Sequence, residues 1–163
     1  MQVEVLKNIK GFSRVQITEP QEDGTEKIVG DSGFCGPNQI TNLGFLNYLV
    51  FLLGASAGSQ QIGFVALGTG SAPNATHTTL NGEIMSSTQR KAVTFGSVAS
   101  TTAQFTATFA SSDSFLTAAA NLSNIGLFAA TTTNDTLFAG NTFASSSCAI
   151  NQNVNVTYQI RFS

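Results

Sequence analysis

The C-terminal segment constrains the fold most tightly, because apolar and polar side chains alternate along it almost without a break. The apolar side chains share one parity: Ile150, Val154, Val156, Tyr158, Ile160 and Phe162. The polar side chains share the other: Asn151, Asn153, Asn155, Thr157, Gln159 and Arg161. Period-two alternation of this length predicts a β-strand with one buried face and one face in water.

Shorter segments with β-branched or alternating residues lie between turns rich in Gly, Ser, Thr and Asn. Besides a strand at residues 2–6, the predicted strands cover residues 11–18, 26–29, 62–67, 90–97, 103–110, 124–130 and 136–144. Many short strands separated by such turns are typical of an antiparallel architecture. The sequence therefore predicts a mainly β fold, an antiparallel β-sandwich of jelly-roll-like type.

One segment, residues 38–54, departs from this pattern. Asn38 or Thr41 can cap a helix at its start, and Gly54 stands where a helix commonly ends. The segment from Ile40 to Leu53 contains ten apolar residues, which form a stripe too wide for a half-exposed helix. We therefore predict one main helix around residues 38–54, buried on most sides.

Charge is scarce and unevenly distributed. Only 10% of residues are charged, against about 25% in a typical domain, and ten of the sixteen charges lie within residues 1–31. This break predicts a charged N-terminal hairpin or arm over 1–31, turning at 20–24, and a β-sandwich domain over 32–163. The candidate interface residues are the charged side chains of that hairpin: Lys7, Lys10, Arg14, Glu19, Glu22, Glu26 and Lys27.

Two interpretations of this charged hairpin stay open. It can be an anchor that grips a neighbouring subunit. It can also be a solvated hairpin at the edge of the sandwich, where charge deters unwanted strand pairing.

Composition argues against several classes of partner. The net charge of -2 gives no electrostatic footprint for nucleic acid. No apolar run reaches the length of about 20 residues that a transmembrane helix needs, so no membrane partner is expected. The segment Met1–Glu4 does not resemble the start of a signal peptide.

The residues that could carry chemistry are few. His77 is the only histidine, and Cys35 and Cys148 are far apart in sequence, so a zinc site or a nucleophile with its base is not expected. The segment Gly68–Pro73 lacks the ending of a phosphate-binding loop, and its glycines are expected to serve a turn with positive φ. The sequence predicts no catalytic residue, no metal site and no cofactor, hence no enzyme.

Several motifs over residues 36–163 resemble small virion proteins of tailed bacteriophages. The stretch Ile62–Pro73, which reads ALGTGSAP at its end, resembles a strand and loop written ALGTGxxAP in that family. The other matching features follow in chain order: Asn38–Gly44, Thr79-Leu80, Glu83, Arg90, Gly126-Leu127-Phe128 and the final alternating strand. Where the family often has an acidic residue before GLF, this chain has Asn124-Ile125.

This resemblance implies a structural protein of the virion, assembled in the host cytoplasm. The favoured function is a capsid decoration (cement) protein whose partners are the major capsid protein or other virion subunits, and which forms a homo-oligomer, by analogy a trimer. The alternative is a tail-fibre or receptor-binding module, against which the scarcity of aromatic residues expected at the surface weighs.

Overall fold

A computed structural model describes residues 9–44, 61–84, 90–99, 102–131 and 137–162. Within these ranges the chain forms ten strands: β1 (Ile9–Pro20), β2 (Glu26–Asp31), β3 (Gln39–Ile40), β4 (Phe64–Gly68), β5 (Lys91–Ala92), β6 (Thr94–Ala99), β7 (Thr102–Phe109), β8 (Ala120–Phe128), β9 (Leu137–Cys148) and β10 (Asn153–Phe162). Two short helical pieces accompany them, one α-helical turn, α1 (Asn42–Gly44), and a 3₁₀ turn at Ser111–Asp113.

The strands form two antiparallel sheets of five. Sheet A has the order β2-β1-β10-β7-β6, and sheet B has the order β3-β9-β8-β4-β5. One buried cluster joins the two sheets: it takes Val15, Phe105 and Val156 from sheet A and Leu67 and Ile125 from sheet B, among others. The prediction of a mainly β fold with antiparallel sheets is therefore confirmed.

The final alternating segment is β10, the central strand of sheet A. It pairs with β1 over ten residues and with β7 over eight. Its core-facing side chains Val154, Val156, Tyr158 and Ile160 are at most 3% exposed. On the other face Asn153 and Gln159 are also buried, because a central strand is flanked on both sides by the long polar side chains of its neighbours.

The predicted N-terminal hairpin is present from residue 9 onward as β1 and β2. Gln21 N donates to Thr25 O across the turn (2.8 Å), and Gly24 adopts a φ of 81° that favours glycine. β1 lies between β2 and β10, and its Val15 and Ile17 belong to the core. The strand predicted at 2–6 lies outside the described residues.

The main helix predicted around residues 38–54 is wrong in the part that the structure describes. Gln39–Ile40 pair with β9 as strand β3, and α1 is a single turn; residues 45–54 lie outside the described ranges. Thr41 caps that turn by accepting from Gly44 N (2.9 Å), but its own N–H donates to Phe138 O (3.0 Å). Because β9 holds the chain up to Thr41, Ile40 occupies a core position of a sheet rather than a helix face.

Tyr158 carries a buried polar link between β10, β1 and the segment that precedes β3. Asn38 Nδ2 donates to its hydroxyl, and Asn38 Oδ1 accepts from Gly11 N (2.6 Å). Burial raises the pKa of Tyr158 far above its usual value. The phenol therefore stays neutral and holds Asn38 against the edge of β1.

We expect Tyr158→Phe to lower the free energy of unfolding by about 1–3 kcal/mol, because it leaves the Asn38 amide without its acceptor while keeping the ring. Urea unfolding followed by circular dichroism measures this change. Thr157→Ala, one residue away on the outer face, is the matched control and should cost less. Equal losses from the two variants would contradict a stabilising role for the Asn38–Tyr158 hydrogen bond.

Candidate interaction surface

The outer face of sheet A carries rows of uncharged hydrogen-bonding side chains that run across the strands. In one row Thr94, Thr106 and Thr157 are direct partners on β6, β7 and β10. In the next row Thr108 and Asn155 are direct partners on β7 and β10. These side chains line a shallow depression of about 280 Å³ on the sheet.

Hydrogen bonds between neighbouring strands hold these side chains in place. Thr108 Oγ1 donates to Asn155 Oδ1 (2.8 Å), and Gln159 Nε2 donates to Gln104 Oε1 (2.8 Å). A side chain that is already held loses less conformational entropy when a partner binds. This face is therefore organised in advance for polar contacts.

The outer face of sheet B is different, because the chain covers part of it. Leu80, from the segment between β4 and β5, forms a second buried cluster with Ala66, Phe128 and Leu137. Leu137 N donates to Thr78 O (2.8 Å) and ties that segment to β9. Of the two outer faces, the polar face of sheet A is the better candidate for contact with another molecule.

Several of the predicted interface residues are held within the chain. Arg14 forms a bidentate pair with Asp31 (Nε–Oδ1 3.0 Å, Nη2–Oδ2 2.5 Å). Glu19 Oε1 accepts from Gln152 Nε2 (2.9 Å). Glu26 accepts from Thr18 Oγ1 and from Asn153 Nδ2, each at 2.8 Å.

These contacts shift the ionisation of three hairpin groups. Hydrogen bonding to Asp31 raises the pKa of Arg14, and the same bond holds the pKa of the Asp31 carboxyl well below its usual range. The hydroxyl of Thr18, followed by the amide of Asn153, lowers the pKa of Glu26. The three groups stay charged at neutral pH, and their hydrogen bonds fix β2 to the rest of sheet A.

The remaining predicted interface residues are exposed or undescribed. Lys10, Glu22 and Lys27 are exposed, and none of the described ion pairs includes them. Lys7 lies outside the described residues. The predicted interface residues therefore fall into two groups, those bound to other side chains of the same chain and those in no described ion pair.

An arginine–aromatic cluster that no sequence motif indicated lies at one end of the outer face of sheet A. The guanidinium of Arg161 lies 4.3 Å from the ring centroid of Phe12 and 5.8 Å from that of Phe34, and Arg14 lies 5.9 Å from Phe34. Phe34 is 46% exposed. The register of β1 and β10 brings Phe12 and Arg161 together. The one sequence signal for this position is the alternation in β10, which puts Arg161 among the outward polar residues.

Glu83 and Arg90, two of the residues that carry the family resemblance, form a buried ion pair. Arg90 contacts Glu83 through Nε (2.7 Å) and Nη2 (3.1 Å), and its side chain is fully buried. Its guanidinium lies 3.4 Å from the ring centroid of Phe128, and Nη1 donates to Ala130 O (3.3 Å). We call these three residues, Glu83, Arg90 and Phe128, the clasp.

The glycines after β4 serve close packing rather than a turn with positive φ, which corrects that expectation. The φ angles of Gly68 and Gly70 are not positive, but a Cβ at Gly68 would collide with Asn124 Oδ1 and one at Gly70 with Asn81 O. Asn124 Nδ2 donates to Asn81 O (2.8 Å) and to Ser71 O (3.1 Å). A carboxylate at this position could not make these donations.

The residues considered for chemistry do not come together. His77 lies in the segment between β4 and β5, where its Nδ1 accepts weakly from Asn74 N (3.4 Å). Cys35 and Cys148 are free thiols, and burial raises the pKa of Cys148 to about 11. Within the described ranges no group of three or more His, Cys, Asp or Glu side chains could hold a metal ion.

A helix long and apolar enough to cross a membrane is not found among the described residues. Comparison of the chain with family models, with curated proteins and with solved structures gave no match.

Proposed function

We propose that this chain is a non-enzymatic structural subunit of a phage virion, a capsid decoration protein that stabilises the head through protein–protein contacts. The observation that carries the proposal is the outer face of sheet A, where uncharged hydrogen-bonding side chains run in register across β6, β7 and β10. Such a face offers many polar contacts without a large electrostatic cost of desolvation. The major capsid protein or another virion subunit is the proposed partner, and the jelly-roll-like type and the homo-oligomeric state belong to this proposal.

The scarcity of charge supports the same proposal. Outside residues 1–31 the chain holds six charged residues, and two of them, Glu83 and Arg90, neutralise one another in the interior. Protein interfaces are depleted of charge at their centre, so a surface of this kind suits a protein surrounded by other subunits.

A second candidate, a tail-fibre or receptor-binding module, gains from two exposed aromatic side chains. Phe34 is 46% exposed and Phe95 is 64% exposed, whereas the sequence suggested few aromatics at the surface. Phe95 lies 5.6 Å from Phe105 between ring centroids. Aromatic side chains line many small-molecule sites.

The test is the copy number and position of the chain in assembled particles, measured by quantitative mass spectrometry and electron cryomicroscopy. Many copies spread over the head would support decoration, and a few copies at a vertex or tail would support the fibre candidate. Absence from particles would refute both.

The same particles allow a test of the outer face. A charged side chain introduced by Thr106→Arg or Thr157→Arg should prevent incorporation, because it would bury an unpaired charge against the partner. Thr79→Arg, at an exposed position between β4 and β5, is the matched control and should be incorporated normally. Normal incorporation of all three variants would exclude this face as the contact.

A further inference from the structure

The β1–β2 hairpin presents an order of chemical groups that is complementary to itself. Its turn carries acidic side chains, and its middle carries exposed aliphatic side chains. At its far end lie arginine and aromatic side chains from β1, from β10 and from the segment after β2. A two-fold axis through the middle of such a surface places each acidic end against the basic end of a second copy.

The aliphatic centre consists of Ile28 and Val29, which are 54% and 43% exposed. β2 is the edge strand of sheet A, and its pairing with β1 is interrupted between Ile17 and Thr18, where the register shifts. All four residues from Glu26 to Val29 are exposed, because β2 has a neighbouring strand on one side only. Exposed aliphatic side chains on an edge strand favour contact with another protein surface.

The acidic end is the turn that joins β1 to β2. Glu22 and Asp23 are both exposed. Asp23 Oδ1 accepts from Thr25 N (2.9 Å) and Thr25 Oγ1 (2.6 Å), which keeps the turn closed. None of the described ion pairs includes Glu22.

The basic end is the cluster of Arg161, Phe34 and Arg14. Asp31 neutralises Arg14, but among the described residues the guanidinium of Arg161 donates to Gln159 Oε1 alone, through Nε (3.0 Å) and Nη2 (2.6 Å). A guanidinium has five N–H donors, so donors remain for a carboxylate. The aromatic rings beside it exclude water and strengthen such a pair.

The two ends cannot neutralise each other within one copy, yet they match across two. Asp23 and Phe34 lie equally far along the chain from the midpoint of Ile28 and Val29, at most about 18 Å in an extended strand. Cys35, next to Phe34, bridges Ser13, and Glu26, beside the turn, pairs with Pro20, so the two ends lie at least seven positions of β1 apart, about 23 Å, which exceeds the Debye length of about 8 Å at physiological salt. Equal arms on either side of a midpoint are what a two-fold contact requires.

We propose that two copies of this chain associate side by side through the β1–β2 hairpin, antiparallel, with Ile28 and Val29 at the two-fold axis. Glu22 and Asp23 of each copy face Arg161 and Phe34 of the other. The inference rests on the proposed function in one respect, that the chain acts by binding protein copies. The two-fold contact is distinct from the trimer that the family resemblance implies.

The test measures self-association by sedimentation velocity over a concentration series. Wild type should reach a dimer at micromolar concentration and no larger species through this contact. Glu22→Arg and Arg161→Glu should each weaken association about tenfold or more, because each change acts twice in a two-fold contact. Combining both changes in one chain should restore association to within a few-fold of wild type.

A cross-linking variant tests the axis without changing any charge. Val29→Cys in a Cys35→Ser background should form a disulfide between two copies on mild oxidation, since only residues near a two-fold axis meet their own counterparts. Thr79→Cys in the same background is the matched control and should stay monomeric. High salt should weaken the wild-type dimer but leave the cross-linked one intact.

The outcomes separate this inference from the proposed function. A wild-type chain that stays monomeric at high micromolar concentration, forms only trimers, or fails to regain association in the double variant overturns the two-fold contact. A solvated edge hairpin predicts the first of these results. If the chain is monomeric but still joins particles, the two-fold contact is refuted and the proposed function is not. If the chain is dimeric but absent from particles, the proposed function is refuted and the two-fold contact is not.

Discussion

Removing residues 1–31 should leave a chain that does not fold. The deletion takes away β1, which lies between β2 and β10, and with it the whole pairing of one side of the central strand. It also removes Val15 and Ile17 from the core and exposes Val154, Val156 and Tyr158 along one edge. Losing one large core side chain costs about 2–5 kcal/mol, so Val15 and Ile17 together account for about 4–10 kcal/mol before the lost strand pairing is added. The total is comparable to the 5–15 kcal/mol that stabilise a typical domain.

Circular dichroism and thermal unfolding of the truncated chain measure this effect. The matched control keeps both strands and removes only free charges, by replacing Lys10, Glu22 and Lys27 with glutamine. That variant should unfold cooperatively near the wild-type temperature, because exposed charges contribute little to stability. A truncated chain with a cooperative transition and strand-type spectrum would show that β1 is dispensable.

This placement of β1 changes how the charged N-terminal segment is to be tested. Lys10 and Glu22, whose charges are exposed, belong to the same hairpin as the core residues Val15 and Ile17. Deletion would abolish incorporation into particles through unfolding, whatever the role of the charges. Point substitutions at exposed positions are needed to separate binding from folding.

The features predicted correctly from the sequence are those that a short window specifies. The alternation in β10 placed Val154, Val156, Tyr158 and Ile160 in the core, and Asp23-Gly24 marked the turn between β1 and β2. Alternation fixes the face of a strand because its side chains point to opposite sides in turn. Neither prediction needed knowledge of which strands are neighbours.

The features that were missed depend on contacts between distant segments. A cap at Thr41 followed by an apolar run is a sound helix signal, yet the N–H of Thr41 bonds Phe138 O on β9 and keeps the chain in a sheet up to that point. Likewise, nothing local to Arg161 indicates that it stacks on Phe12. Such pairings follow from strand order and register, which a single sequence does not specify.

Glu83→Ala should be the most damaging single substitution outside the sheets, with a loss of about 3–5 kcal/mol in the free energy of unfolding. The change leaves the Arg90 guanidinium fully buried without its carboxylate partner. Stacking on Phe128 and one bond to Ala130 O remain, but neither compensates the charge. Arg90→Met should have a similar cost, because Glu83 is then left almost buried and unpaired.

The neighbouring ion pair provides the matched control. Lys91 Nζ lies 2.5 Å from Asp113 Oδ2, but these side chains are 36% and 29% exposed. Lys91→Ala should therefore cost only about 0–1 kcal/mol, as for other exposed pairs. Urea unfolding of the variants at residues 83, 90 and 91 under the same conditions measures whether burial sets the difference.

The double variant Glu83→Ala/Arg90→Met decides how the clasp acts. Both charges are then removed together, so the cost should be well below the sum of the two single losses, and the difference measures the coupling of the pair. An additive double variant would mean that Glu83 and Arg90 act through separate contacts. Strong coupling would mean that the pair acts as one unit, which holds Leu80 against Phe128 and Leu137 on the outer face of sheet B.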